Sequence, residues 1–197
     1  MLALAVLSLF LEAPRHPYDV HRQLRLRGKQ RVLDIRPAPV YRMIDRLAQA
    51  DLIAVAGTNR EGKRPERTIY EITDRGRELV PAWLRRFLRS PADEHPTYRA
   101  AVAFLPLLTP EDALQELDAR AAALEAQIAA DEALTREAAG SGPPRLFLLE
   151  DELGLAMLRT ELAWTRAVVD DLRVGRLHWT HDEVLALVSQ APLRPED

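Results

Sequence analysis

The chain has 197 residues, which is enough for one large domain or for two small domains with cores of their own. It contains no cysteine, which excludes a disulfide framework and a thiolate metal site. No apolar run approaches the roughly 20 residues of a membrane helix, and the apolar start at residues 1–11 lacks a basic n-region and a small-residue cleavage site. We therefore expect a cytoplasmic protein without a membrane partner or a cofactor, whose first segment is a core helix.

The net charge of −3 averages two unlike parts of the sequence. Residues 1–90 contain 18 lysines and arginines against 10 acidic residues, whereas residues 91–197 contain 9 against 20. Cationic side chains displace condensed counterions from phosphates, so a basic segment followed by an acidic one indicates that the first meets a polyanion. Charge alone leaves a merely solvated basic surface as an equal alternative.

The first 90 residues predict three helices, a hairpin and a fourth helix. Prolines at positions 17 and 39 are placed to begin helices, and Gly28 is placed to end one. A turn cluster bounded by glycines and a proline separates two short apolar segments, and Thr73 is placed to cap the helix that follows. The first two predicted helices cover residues 2–13 and 17–27, and the third begins at residue 39. The predicted strands cover residues 52–56 and 67–72, and the fourth helix covers residues 74–88.

The remaining sequence predicts helices only. A polar joint that contains proline, at residues 90–96, is the predicted domain boundary. Beyond it we predict a helix over residues 98–108, a long helix capped by Thr109, a break at residues 140–144, a second long helix over residues 145–173, and a last helix capped by Thr180. The predicted fold class is mainly α with a small β-hairpin wing. It consists of an N-terminal winged helix-turn-helix domain, residues 1–90, and a C-terminal all-helical dimerisation domain, residues 97–190.

The third predicted helix carries the chemistry of a helix that reads DNA. Arg42 and Arg46 are one turn apart on its exposed face, and arginine is the commonest bidentate partner of guanine in the major groove. The second helix is placed to cross the DNA backbone, and the wing is placed to contact phosphates or the minor groove. The candidate DNA-binding residues are Tyr18, His21 and Arg22 on the second helix, Pro39, Val40, Tyr41, Arg42 and Arg46 on the third, and Lys63, Arg64 and Arg67 in the wing.

Four segments carry a resemblance to a known family: the opening helix at residues 2–10, residues 16–20, the third helix and its exit at residues 40–53, and the returning strand with the next helix at residues 67–79. Together they resemble the PadR-like transcriptional regulators, a bacterial family of dimeric winged-helix repressors, although MarR-like winged helices share parts of the last two. Glu161-Leu162-Ala163-Trp164 is similar to the effector and dimerisation region of family members with an extended C-terminal domain. The chain departs from the family pattern at Ala38-Pro39 and at His16-Pro17.

The acidic half contains the candidate dimer contacts. Leucine, alanine and isoleucine recur from residue 114 to residue 128 at the spacing of a coiled-coil seam, which could also close within one chain. The predicted dimerisation residues are Leu114, Leu117, Leu124, Ile128, Leu149 and Leu153. Core packing best explains the large aromatic residues Trp83, Phe87 and Trp164, and a pocket for a small-molecule effector is the alternative that the resemblance allows.

Taken together, the sequence predicts a homodimeric repressor that binds double-stranded DNA at an operator with an inverted repeat and is released by an effector. The alternatives are a winged-helix protein-interaction adaptor and a small-molecule-binding helical protein, the latter requiring an apolar pocket with convergent polar groups in residues 97–190. His178 and His181 have a spacing found in zinc sites, but helix capping explains the segment better. The sequence shows no nucleophile with its base and no phosphate-binding glycine loop, so we expect neither an enzyme nor a metal site.

Overall fold

The computed structural model describes residues 1–59, 67–91, 94–140 and 144–190. The chain divides into two compact units, Met1–Glu94 and His95–Asp197. The N-terminal unit contains the helices α1 (Leu2–Glu12), α2 (Pro17–Leu26), α3 (Pro37–Gln49) and α4 (Asp74–Arg89) and the strands β1 (Ile53–Asn59) and β2 (Arg67–Ile72). The C-terminal unit contains α5 (Thr97–Ala103), α6 (Pro110–Gly140), α7 (Leu149–Arg173) and α8 (His181–Gln190). The predicted fold class, mainly helical with one hairpin, is confirmed.

The core of the N-terminal unit forms around α1. This helix is apolar on nearly every side, so it is buried by several neighbours instead of along one stripe, and it contacts α2, α3, α4 and β2. The buried side chains that surround it come mainly from two helices: Val20 and Leu24 of α2, and Val40, Ile44 and Leu47 of α3. Burial of each such side chain contributes about 1.5–3 kcal/mol, so this core fixes α2 and α3 in the domain.

Helix α3 begins at Pro37, two residues earlier than the sequence predicts. Pro37 and Pro39 both lie in its first turn, where backbone N–H groups have no partner within the helix, so neither proline interrupts it. Arg36 comes immediately before with φ −55° and ψ 151°, a conformation typical of residues that precede proline.

The hairpin is larger than predicted. Strands β1 and β2 pair antiparallel from Ile53 opposite Ile72 to Asn59 opposite Arg67, with a bulge between Val55 and Gly57. The loop before α2 adds a bridge to the sheet, because the Arg15 N–H donates to the Tyr70 carbonyl at 2.9 Å and the Tyr70 N–H donates to the Arg15 carbonyl at 3.0 Å. A bridge formed by a single residue produces no alternation of apolar and polar residues in the sequence, so this bridge was not predicted.

A junction of hydrogen bonds fixes the end of α3 to the hairpin and to α4. Asp51 has φ 56°, the left-handed conformation that commonly ends a helix. The Leu52 N–H then donates to the Leu47 carbonyl at 2.9 Å, and the Leu52 carbonyl accepts from the Thr73 N–H at 3.1 Å. The Thr73 hydroxyl donates to the Asp51 carbonyl at 2.7 Å and accepts from the Gly76 N–H at 3.1 Å. The predicted Thr73 cap is therefore confirmed.

In the C-terminal unit α6 and α7 pack antiparallel as a helical hairpin. Ala121 and Leu124 of α6 are buried with Leu162 of α7, and Ile128 and Leu158 pack against them. Ion pairs join the two helices along their length, among them Arg120–Glu161, Arg159–Glu132, Arg166–Glu125 and Arg173–Asp118. Exposed ion pairs contribute little stability, but together they favour one register of the hairpin over others.

The predicted seam therefore closes within a single chain. Leu117 and Leu124 are 3% and 5% exposed, so they belong to the core of the unit and cannot form the dimer contacts that the sequence predicts for them. Ile128 packs against the same core, and Leu114 is half-buried. Seam spacing shows that a helix has a packing partner, but it does not show which chain supplies that partner.

Two predicted helices are shorter than expected. The segment predicted as a helix over residues 98–108 is α5 followed by a 3-10 turn at Leu105–Leu107, because Pro106 has no N–H and its ring clashes with the preceding helical turn. Likewise α7 begins at Leu149, after a 3-10 turn at Arg145–Phe147.

The helix caps predicted at Thr109 and Thr180 are confirmed. The Thr109 hydroxyl accepts from the Asp112 N–H at 3.1 Å. The Thr180 N–H donates to the Glu183 carboxylate at 2.7 Å, and this hydrogen bond lowers the pKa of Glu183. Over the residues that the structure describes, no cluster of three or more histidine or acidic side chains could hold a metal ion, and no helix is long and apolar enough to cross a membrane.

Candidate nucleic-acid interface

Helix α3 has one buried face and one exposed face. Its buried face belongs to the core, whereas Arg42 and Arg46 are exposed and lie one turn apart. Tyr41 is 37% exposed, and Pro39 is half-buried in the first turn. The predicted DNA-reading face is thus exposed on a helix that the core and the junction at Leu52 hold firmly.

One residue predicted to bind DNA through α3 belongs to the core instead. Val40 is 0% exposed and packs with the α1 side chains, so its side chain cannot reach a DNA groove. The sequence placed it near the start of the helix, where base contacts are made. Its periodicity with Ile44 and Leu47 is the signal that assigns it to the core.

Helix α2 presents Tyr18 and Arg22 to solvent, and its His21 is half-buried. The imidazole Nδ1 of His16 accepts from the Tyr18 N–H at 3.1 Å and so caps this helix. His16 belongs to the His16-Pro17 pair at which the sequence departs from the pattern of the family that it resembles, and here it supplies a side-chain cap. The cap fixes the start of α2 and with it the direction in which Tyr18 projects.

Several arginines of the basic segment are already paired with acids. Arg15 and Arg27 each donate to the Glu12 carboxylate at 2.8 Å, and the hydrogen bond from Arg27 is the main cause of the lowered pKa of Glu12. Arg36 donates to Asp34 through Nε at 2.9 Å and Nη2 at 2.6 Å, which lowers the pKa of Asp34 to about 2. The number of lysines and arginines in residues 1–90 therefore overstates how many cationic side chains are free to meet a polyanion.

Other arginines of the segment remain free for a partner. Arg22 and Arg25 on α2 and Arg42 and Arg46 on α3 are exposed and form no ion pair with any residue that the structure describes. These four side chains belong to the two helices that the sequence predicts to contact DNA. Asp34, which is paired with Arg36, is also within electrostatic reach of Arg42, but none of the four guanidinium groups has to break an ion pair before it binds a phosphate or a base.

The wing is described only in part. Lys63 and Arg64, which the sequence predicts to contact DNA, lie outside the described residues. Arg67 begins β2 and pairs with Asn59 across the hairpin.

In the C-terminal unit α7 has two apolar faces. Leu155, Leu162 and Val169 are buried. A second set lies on the surface and is here named the exposed α7 stripe: Leu149, Leu153, Met157 and Trp164, which are 44–63% exposed. The predicted dimerisation residues Leu149 and Leu153 belong to this stripe.

Trp164 also belongs to a polar and aromatic cluster that the sequence did not predict. Thr165 is fully buried, and its hydroxyl lies 3.2 Å from the Tyr98 hydroxyl. The Arg120 guanidinium lies 3.4 Å above the centre of the Tyr98 ring and pairs with Glu161. The Trp164 ring meets Tyr98 edge to face, with 6.2 Å between ring centres. These contacts anchor α5 on the helical hairpin, and they join residues too far apart in the chain for sequence spacing to reveal.

A cavity of about 420 Å³ opens beside this cluster. Its wall is mostly apolar, with Val102, Phe104 and Leu108 among the lining residues, and its polar groups come from Tyr98, Glu116 and Arg120. The Trp179 indole N–H donates to the Leu108 carbonyl at 2.9 Å and steadies one edge of the wall. Residues 97–190 therefore contain a mostly apolar pocket with three polar residues in its wall.

The other two aromatic residues considered for an effector pocket lie in the N-terminal unit. Trp83 is half-buried and packs against the core around α1, whereas Phe87, one turn later on α4, is 46% exposed. The structure therefore shows Trp83 as a residue that packs against the core of the N-terminal unit.

The N-terminal unit combines these features: a winged helix with a capped second helix, an arginine-bearing third helix and a two-stranded wing. Residues 6–81 match the model of the transcriptional regulator PadR-like family. The resemblance inferred from the sequence is therefore confirmed. No curated protein matches the sequence.

Solved PadR-like structures have a similar fold over most of the chain. Bacillus subtilis PadR in complex with operator DNA is 17% identical, with a TM-score of 0.70 over 87% of this chain and 98% of that one. The same protein in complex with p-coumaric acid is 15% identical, with a TM-score of 0.70 and the same coverage. The PadR-like regulator BC1756 from Bacillus cereus is 16% identical, with a TM-score of 0.60 over 89% of this chain and 99% of that one. At these identities the similarity shows the fold of both units.

Proposed function

We propose that this PadR-like protein is a homodimeric, sequence-specific DNA-binding repressor that a small-molecule effector releases from its operator. The observation that carries the proposal is the pair of exposed arginines without ion pairs, Arg42 and Arg46, on the outward face of α3. The similarity in fold to B. subtilis PadR, whose structure contains operator DNA, supports it.

In the proposed complex α3 enters the major groove, which is about 12 Å wide and admits a helix. Arg42 and Arg46 then reach base edges, while Tyr18 and Arg22 of α2 contact the phosphate backbone. Because the core around α1 and the junction at Leu52 already hold α3 in place, little conformational freedom is lost on binding. The wing residues Lys63, Arg64 and Arg67 contribute phosphate or minor-groove contacts.

The exposed α7 stripe is the proposed dimer contact. One winged helix covers too little DNA for high specificity, so regulators of this kind bind two half-sites as dimers. Contiguous exposed apolar side chains on a helix are typical of protein–protein contacts, and Leu149 and Leu153 supply two of them here. A two-fold dimer places its recognition helices in successive major grooves, and the operator is then an inverted repeat.

The cavity beside Tyr98 is the proposed effector site, in preference to the surroundings of Trp83. The B. subtilis PadR structure with p-coumaric acid supports an effector for this fold. Trp164 contacts Tyr98 and also belongs to the exposed α7 stripe, so a ligand in the cavity could change the dimer contact. An effector acts in this way only if it binds the released state of the dimer more tightly than the DNA-bound state.

Selection from a library of randomised duplexes tests the proposal, because the full chain must enrich a defined sequence. Fluorescence anisotropy then compares the enriched duplex with a shuffled duplex of the same composition at two salt concentrations. We expect an inverted repeat, about 10³-fold or tighter binding to it than to the shuffled duplex, and affinity that falls steeply with salt. Equal affinity for both duplexes would overturn the proposal and favour the protein-interaction adaptor.

A further inference from the structure

An unpaired carboxylate lies on the helix face proposed to meet DNA. At about 100° per residue, Arg42, Asp45 and Gln49 fall on the side of α3 opposite its buried residues, and all three are exposed. Asp45 follows Arg42 by three residues and directly precedes Arg46, yet it forms no hydrogen bond or ion pair with any described residue.

A carboxylate in this place weakens binding to DNA in general. It repels the phosphates, and because an ionised carboxylate only accepts hydrogen bonds, it gains nothing from base-edge acceptors such as guanine O6 and N7 or thymine O4. The donor that an acidic side chain most readily reads in the major groove is the N4 amino group of cytosine. The effect of Asp45 on affinity therefore depends on which base it faces.

We propose that Asp45 is a specificity-determining residue that accepts a hydrogen bond from a cytosine N4 amino group in each operator half-site and opposes binding to other sequences. The inference rests on the proposed DNA-binding function and adds a base preference to it. Since Asp45 has no partner in the free protein, it meets the base without first breaking an ion pair. The flanking arginines supply attraction to DNA in general, and the carboxylate makes that attraction selective.

The test compares the full-length wild type with Asp45→Asn, which keeps the shape of the side chain and removes its charge. Each protein is first used to select duplexes from a randomised library. Anisotropy then measures its affinity for the wild-type selected duplex, for duplexes in which each C·G pair in turn becomes T·A, and for a shuffled duplex. Glu78→Gln on α4 is the matched control, because it removes the same charge from an exposed helical position of the same unit.

We expect one C·G position per half-site at which wild type loses about tenfold or more in affinity on the change to T·A. Asp45→Asn should discriminate less, because its amide can accept from cytosine N4 and can also donate to thymine O4, and it should bind the shuffled duplex several-fold more tightly. Glu78→Gln should behave as wild type. Asp45→Ala, which removes the charge and the acceptor together, should lose the discrimination.

Two negative results are distinguishable. If the wild type enriches no sequence, the proposed function itself fails. If the wild type enriches a sequence and both Asp45 variants show the same discrimination at every position, the proposed function stands and the role of Asp45 is overturned.

Discussion

The substitution Gly76→Ala tests the junction that joins the end of α3 to the start of α4. A Cβ at this position would lie 2.7 Å from Ile72 Cγ1 and would press still closer against the Leu52 carbonyl oxygen. That carbonyl cannot move freely, because it accepts a hydrogen bond from Thr73. Overpacking of this kind costs about 1–3 kcal/mol, and the upper end applies where backbone must shift. Alanine is better than glycine in a helix by about 0.5–1 kcal/mol, so we expect a net loss of about 2 kcal/mol in the free energy of unfolding.

The same change at Gly154 in α7 is the matched control. A Cβ there meets nothing within 4 Å, so only the helix preference remains and Gly154→Ala should stabilise the chain by about 0.5–1 kcal/mol. Urea denaturation followed by hydrogen-exchange mass spectrometry reports the two units separately and measures both effects. The packing argument is refuted if Gly76→Ala is as stable as the wild type.

Two further predictions concern the surface of each unit. The hydrogen bond from Arg36 is the main reason that the pKa of Asp34 is lowered from 3.8 to about 2, so this pair stabilises the fold above about pH 4 and its contribution is lost as the pH falls through about 2. Carboxyl NMR should give a titration midpoint of about 2 for Asp34 in the wild type, and Arg36→Gln should return that midpoint towards 3.8. A wild-type midpoint near 3.8 would contradict the pair. Leu153→Glu should convert the proposed dimer to monomers of 22.2 kDa in sedimentation equilibrium, while Val32→Glu, also at an exposed apolar residue, should not. If the Leu153→Glu variant remains a dimer, the exposed α7 stripe is not the dimer contact.

Local sequence patterns were enough to predict most of the elements. The caps at Thr73, Thr109 and Thr180 were predictable because a capping side chain and its N–H partner lie within three residues of each other. The arginine face of α3 was predictable for a similar reason, since helical periodicity separates Arg42 and Arg46 from the buried residues.

What the sequence could not reveal depends on contacts between distant segments. The pairing of Glu12 with Arg27 spans 15 residues, and that of Tyr98 with Thr165 spans 67, so neither leaves a local pattern. The assignment of Leu124 to a dimer was wrong for the same reason, because spacing along α6 cannot show that α7 of the same chain covers it.

The role of α3 is tested most directly by the affinity of Arg42→Ala for the duplex that the wild type selects. We expect Arg42→Ala to weaken the free energy of binding to that duplex by about 1–3 kcal/mol, and to weaken binding to a shuffled duplex by less. Arg136→Ala on α6 removes the same charge from an exposed position of the other unit and should leave both affinities unchanged. If Arg42→Ala binds the selected duplex as tightly as the wild type, α3 does not read DNA as proposed.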